Sequence, residues 1–363
     1  MTNQIPSGEP PLGALACPEP EDRPDLWPTT ARRTPDGELA LGGLTVSEIL
    51  ADAPSPVFVL DEADLRGRAA SWSAAMAEEF WSGYGLRGGE AFYAGKAFLT
   101  TQVARIVLQE GMGIDTASRV ELAVGLAGLE KVDGPEATTH ARRLGLHGNG
   151  KTPAEVTTAV RHRVGHLVID SPEEVDHAVA AVHELRRSGD FGADERARVM
   201  VRLTTGIHAG GHEYISTAHE DQKFGLSVST GAARRAIDAI VAADELELAG
   251  LHSHIGSQIL DMAGFREAVG VVLGLRHEIA VDTGHLCPEV DLGGGYGIAY
   301  TGADPVAPSP AQVARTLAEA VRETCERLGD EVPTVSIEPG RAVAGPTTVT
   351  LYTITGLKRV ELG

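Results

Sequence analysis

Eight short apolar runs, each followed by enough chain for a turn and a helix, constrain the fold of this 363-residue sequence more than any other feature. They are Ala91 to Ala97, Gly113 to Ser118, Leu144 to Asn149, His166 to Ser171, Arg198 to Thr204, Leu248 to Gly256, Glu289 to Gly295 and Thr334 to Arg341. Helical patterning fills stretches between them, as at 119–128, 172–187 and 311–328, and another such stretch at 62–80 precedes the first run. Strands covered on both faces lose the polar alternation of an open antiparallel sheet. Continuous apolar runs alternating with helices therefore predict an α/β protein, a (β/α)8 TIM-like barrel. A doubly wound open sheet is the rival, since it shows the same alternation.

Nearly every run ends, on its C-terminal side, in polar or special residues. These are Lys96, Asp115 with Ser118, His147 with Asn149, Asp170, Arg202, His254 with Ser257, Asp291 with three glycines, and Glu338 with Arg341. In a barrel those ends converge on one face, where active sites are built. Any one of them alone could be an ordinary strand cap.

Lys96 lies in Ala91-Phe92-Tyr93-Ala94-Gly95-Lys96-Ala97-Phe98, an apolar, β-prone run in a chain with five lysines against 26 arginines. A lysine in a core strand is costly unless neutralised, and a desolvated lysine can lose its proton and form a Schiff base, whereas arginine cannot. The plainer reading is a strand-end lysine that snorkels to solvent. Gly293-Gly294-Gly295 would let backbone N–H groups approach an anion, or simply make a tight turn; its place after the seventh run favours phosphate, and Ser257 could add a hydroxyl. Glu338-Pro339-Gly340-Arg341 sets a carboxylate and a guanidinium across a forced turn, either as a surface salt bridge or facing two parts of one ligand. Were that ligand pyridoxal phosphate, Glu338 would suit the pyridine nitrogen and Arg341 an anionic group. His254 would lie flat against the ring, or be a hydrogen-bonded core histidine. No GxGxxG is present, which disfavours a dinucleotide.

A formal net charge of −20, with no basic block, argues against nucleic acid or anionic membrane as a partner. No apolar run reaches the roughly 18 residues of a membrane span, and no signal-peptide pattern opens the chain. Cys17, Cys287 and Cys325 are too few and scattered for a disulfide framework or zinc site, which fits the cytoplasm. Proline-rich residues 1–25 read as a disordered or loosely docked arm and 26–55 as N-terminal strands of a β domain. Residues 56–345 read as the barrel and 346–363 as the start of the second part of that β domain.

Together FYAGKA, GID with Ser118 and Glu121, HGNGK, the EDQKFG at 220–225, LHSHIGSQI, DLGGGYGIAY and IEPGR resemble diaminopimelate decarboxylases, a family of fold-type III pyridoxal-phosphate enzymes. The likeness runs from about residue 26 to the end. It implies decarboxylation of meso-2,6-diaminopimelate to L-lysine, with pyridoxal 5'-phosphate as cofactor and a homodimer with shared active sites. It implies Lys96 as the Schiff-base lysine, His254 stacked on the cofactor ring and Glu338 at the pyridine nitrogen. Asp115, Ser257, Gly293, Gly294, Gly295, Pro339, Gly340 and Arg341 would line the cofactor, Arg341 also lying near the substrate carboxylate. The sequence has Arg119 and Val120 where the family usually has two glycines, Gly150 where it has a second asparagine, and a longer stretch at 129–143. Members continue well past the position of Gly363 with a Cys-Glu-Ser segment and substrate-binding residues, so the expectation is an incomplete second all-β domain built from both chain ends, and impaired activity. Decarboxylases of ornithine or arginine, and a cofactor-binding partner subunit without activity, are the alternatives. An alanine-racemase-like enzyme is disfavoured, because that family sets an arginine against the pyridine nitrogen.

Overall fold

A computed structural model describes residues 18–207, 223–356 and 358. Glu220 to Gln222 of the EDQKFG motif, Cys17 and most of the expected N-terminal arm lie outside the described residues. The eight runs form strands β1 Gly89–Ala94, β2 Gly113–Thr116, β3 Leu144–Leu146, β4 His166–Ile169, β5 Ala197–Thr204, β6 Leu246–Ser253, β7 Glu289–Asp291 and β8 Thr334–Ile337. All pair in parallel with their neighbours in chain order, and β8 pairs with β1, so the sheet closes on itself. Closure rules out the open doubly wound sheet.

Helices Thr101–Gln109, Arg119–Asp133, Pro153–Arg161, Pro172–Ser188, Ala232–Ala242, Ala263–Thr283 and Pro310–Leu328 follow β1 to β7. Their ends are written locally. Ser118 accepts from Glu121 N–H at 3.2 Å to start one, and Thr152-Pro153 with Glu155 and Ser309-Pro310 with Gln312 make capping boxes. Left-handed glycines Gly189 and Gly284 stop two others, and Gly329 stops the helix that Ser309 starts. The eighth outer position is filled by Glu62–Glu79, which comes before β1 and packs between Thr101–Gln109 and Pro310–Leu328. The barrel thus begins with a helix.

The strands are not apolar on both faces, contrary to the reading of continuous, mostly apolar runs. One set of alternate residues, including Tyr93, Ile114, Leu146, Leu167, Val201, Leu251, Val290 and Ile337, joins the helices in one continuous core. The other set points into the barrel and is polar at both mouths. Glu90, His166, Arg198, Glu289 and Ser336 line a cavity at the N-terminal mouth, and Asp115, His147, Arg202, His252 and Glu338 line one at the C-terminal mouth. The interior is narrow, so small residues alternate with large ones. A Cβ at Gly113 would lie 2.4 Å from the Phe92 ring, and one at Gly250 2.7 Å from Met200.

Outside the barrel the chain ends meet. Val57–Leu60 pairs antiparallel with Thr348–Leu351. Arg32–Arg33, Leu39–Leu41 and Leu44–Thr45 make a small antiparallel sheet. Within residues 18–25 the Arg23 guanidinium donates to Gly302 C=O at 2.7 Å and bonds Asp25 at 2.8 Å. No described helix is long and apolar enough to cross a membrane.

Candidate active site

Lys96 does not sit within a core strand. β1 ends at Ala94, and Lys96 follows in a single turn, Gly95–Ala97, at the C-terminal mouth, where its side chain is exposed. The chain leaves the wall one residue before the lysine, so the amine stands at the mouth and borders a cavity of about 140 Å³ with Asp115, His147, Arg202, His254 and Glu338. The other lysines are placed differently. Lys151, of HGNGK, is buried, pairs with Glu174 at 2.7 Å and donates to Gly148 and Val168 C=O at 2.7 Å each. Lys223 lies over the Phe224 ring, Lys131 is on an outer helix, and Lys358 is exposed.

Glu338 follows β8 and is buried. Its Oε1 accepts from His252 Nε2 at 2.7 Å and lies 3.6 Å from His147 Nε2. Burial alone would raise its carboxyl, but His147, then His252, then Lys96 bring it well below the usual carboxylate range, so it is ionised. His252, fully buried, is lowered to about 4 by burial despite Glu338, so it is a neutral donor. His147 is raised, the Glu338 and Asp115 charges outweighing burial. Asp115 and His147 approach to 3.1 Å without hydrogen-bond geometry. Asp291 is held well above the carboxylate range by burial and by Glu338 and Asp115. Its Oδ1 accepts from Gly293 N–H at 2.8 Å. Glu338 is thus ionised while Asp291 beside it keeps its proton.

Burial pushes Asp115 up to about 6, the pull of His147 notwithstanding, and Glu338 adds to the rise. Because this lies above its ordinary 3.8, the folded chain binds the proton more tightly than the unfolded chain, and stability is lost as pH rises from about 4 to about 6. Asp115→Asn removes that loss. In urea unfolding it should match the wild type near pH 4 and be more stable above pH 6 by about 1–3 kcal/mol. A difference independent of pH, or a destabilised variant at neutral pH, would contradict this.

The glycine run and IEPGR meet at the same mouth. Tyr296 is buried between the Trp72 and Phe265 rings at centroid distances of 5.0 and 4.9 Å, which anchors the run. Cβ atoms on Gly293 and Gly294 would lie 2.2 Å from the carbonyl oxygens of Ser253 and Glu338, so only glycine permits this close crossing of backbones. Two of the three N–H groups have partners in the protein, Gly293 with Asp291 and Gly294 with His254 Nδ1 at 3.3 Å. Ala94 N–H donates to Pro339 C=O at 3.3 Å, tying IEPGR to β1. Gly340 packs against Ala94 so closely that a Cβ would lie 2.9 Å from the alanine's own. Arg341 and Glu338 do not pair. The guanidinium donates to Ser257 Oγ at 3.1 Å and to Tyr300 Oη. His254 lines the cavity, its pKa well below the ordinary value through burial and the Lys96 and Arg202 charges.

The structure therefore brings Lys96, Asp115, His254 and Glu338 to one cavity, with Ser257, Gly293–Gly295, Gly340 and Arg341 along one side of that mouth. Sequence reading singled out His254 but gave no role to His252, His147 or Asp291. The i, i+2 spacing of His252 in β6 and His254 just past its end was the available signal, since alternate residues of extended chain face the same side. Arg202, named from the sequence only as a run end, has its guanidinium 3.8 Å from Asp170 and 4.6 Å over the Phe224 ring.

The model of the family described as pyridoxal-dependent decarboxylase, pyridoxal binding domain, matches residues 64–345. The chain is similar to the diaminopimelate decarboxylase of Mycobacterium tuberculosis, at 40% identity over 346 residues, 93% of this chain and 71% of that protein. It is also similar to that of Corynebacterium efficiens, at 40% over 339 residues, 93% of this chain and 68% of that one. A crystal structure of diaminopimelate decarboxylase from M. jannaschii in co-complex with L-lysine shares the fold, with a TM-score of 0.79, 24% identity, and 92% of this chain and 71% of that one covered.

Proposed function

Since this chain belongs to the family of pyridoxal-dependent decarboxylases, we propose that it catalyses the pyridoxal-phosphate-dependent decarboxylation of meso-2,6-diaminopimelate to L-lysine and carbon dioxide. The observation that carries the reading is the convergence of Lys96, His254 and an ionised Glu338 on one cavity at the C-terminal mouth. The relatives' activity and the L-lysine seen with the M. jannaschii protein support the choice of substrate.

The residues present fit the cofactor. Both Asp115 oxygens, His147 Nε2 and His252 Nδ1 are buried without hydrogen-bond partners, leaving polar capacity unused around the cavity. Bound there, pyridoxal phosphate supplies an electron sink for the pair left when the carboxylate departs. Lys96 Nζ is the amine that would hold it covalently, His254 the side chain against its ring, and Glu338 the carboxylate that keeps a proton on its ring nitrogen. Ser257, Arg341, Gly340 and the glycine run, Gly295 foremost because its neighbours' N–H groups are partly spent, would hold the phosphate. His252 keeps Glu338 in place by donating Nε2–H, and does so neutrally, leaving the negative charge on Glu338. Pro339 holds the IEPGR turn on β1 through Ala94, which fixes Glu338 across the mouth from Lys96. Arg341, at the same mouth, would also meet a substrate carboxylate.

We further infer a cytoplasmic homodimer with shared sites. Phe98, two residues past Lys96, and Tyr300, bonded to Arg341, are large and exposed at 48% and 60%, a rim suited to cover by a second copy. The test is the release of carbon dioxide and L-lysine from meso-diaminopimelate by the purified chain, beside ornithine and arginine. Lysine formation from the first alone supports the reading. Turnover only of ornithine or arginine replaces the substrate, and cofactor binding without turnover of any of them replaces the enzyme with a binding subunit.

A further inference from the structure

Two described residues other than glycine have positive φ, and one of them, Gln258 at φ 59, lies in the loop after β6 between Ser257 and Ile259. Glycine adopts that backbone without penalty, whereas glutamine carries a local cost that its side-chain contacts must offset. Those contacts are specific. Gln258 Nε2 donates to Ile298 C=O at 2.5 Å while its Oε1 accepts from Ile298 N–H at 3.2 Å, so the amide pairs with the loop after β7 as a strand would. The neighbouring backbone continues the pairing, with Ile259 N–H donating to Gly295 C=O and Gly297 N–H to Ile259 C=O, both at 2.9 Å. On its other side Gln258 Oε1 accepts from Arg341 Nη1 at 3.5 Å, and Arg341 in turn donates to Ser257. One amide thus touches the loops after β6, β7 and β8.

We propose that Gln258 is a positioning residue that fastens these three loops into a preformed cradle for the cofactor's phosphate, without itself being a ligand. The proposal rests on the pyridoxal-phosphate reading of the site. A cradle assembled before binding spares the ligand the cost of ordering Gly295, Ser257 and Arg341, so the benefit falls on the phosphate and not on the ring.

The test is equilibrium titration of the cofactor-free chain with pyridoxal phosphate and, separately, with unphosphorylated pyridoxal, read by tryptophan fluorescence. Gln258→Ala should weaken pyridoxal phosphate about tenfold or more, the worth of one to two net hydrogen bonds, while pyridoxal changes by less than about threefold. Gln258→Gly, which removes the backbone cost along with the amide, should show the same selective loss, and decides the matter should the alanine variant fail to fold. Unchanged pyridoxal phosphate affinity in Gln258→Gly overturns the proposal, as does equal weakening of both ligands, which would mark a general support of the fold. A wild-type chain that binds pyridoxal but not its phosphate removes the cradle altogether. One that binds neither sinks the site reading itself, a result separable from any effect of Gln258.

Discussion

Lys96→Ala should abolish covalent retention of pyridoxal phosphate and lower decarboxylation by about 10⁴-fold or more, the largest effect expected of any single substitution in this chain. The reason is placement. Lys96 is the one lysine bordering the cavity, and its nearest rival by motif, Lys151, is committed to Glu174 and two carbonyl groups. Moving Lys151 would leave a buried carboxylate uncompensated, which is strongly unfavourable. Borohydride reduction of the loaded wild type followed by peptide mapping should locate the adduct at Lys96, and the alanine variant should give none. An adduct at Lys131, Lys151, Lys223 or Lys358 in that variant would reassign the amine.

Glu338→Gln should lower turnover by about 10²–10⁴-fold with much smaller loss of cofactor affinity. The amide oxygen can still accept from His252 Nε2, so the packing survives, but the negative charge that His147, His252 and Lys96 stabilise is gone. A neutral amide cannot keep a proton on the ring nitrogen, so the electron sink weakens while the cavity stays intact. His147, which owes its raised pKa first to Glu338 and then to Asp115, should also titrate at lower pH in the variant, measurable by NMR of the imidazole without any turnover. Parallel loss of turnover and cofactor affinity, with no shift at His147, would reduce Glu338 to a structural residue.

Much of this was legible in the residues. The eight runs and the helix at 62–80 are local patterns, and each formed close to where its period placed it. The order of polar residues at the run ends was also legible, because a parallel barrel sends every C-terminal strand end to one face. The polar residues facing inward at the other mouth, and His252, were not, since the runs were read as mostly apolar. Polar residues that satisfy one another inside a closed wall look, one strand at a time, like isolated exceptions.

Sequence alone thus determined the barrel, the mouth at which the chemistry gathers, and the candidates Lys96, His254 and Glu338, because periodicity and strand direction act over a few residues. Tertiary structure decided the rest. His252 meets Glu338 across 86 residues of chain, and Asp115, Asp291 and Glu338 have carboxylate oxygens within 4.8 Å of one another only because β2, β7 and β8 close into one ring. Which of those carboxylates carries a charge depends on how deeply each is buried and which imidazole faces it, and neither quantity exists before closure. The same closure set Lys96 just outside the strand that its apolar neighbours had suggested, and drew Glu62–Glu79 into the gap beside β1 that no later helix fills.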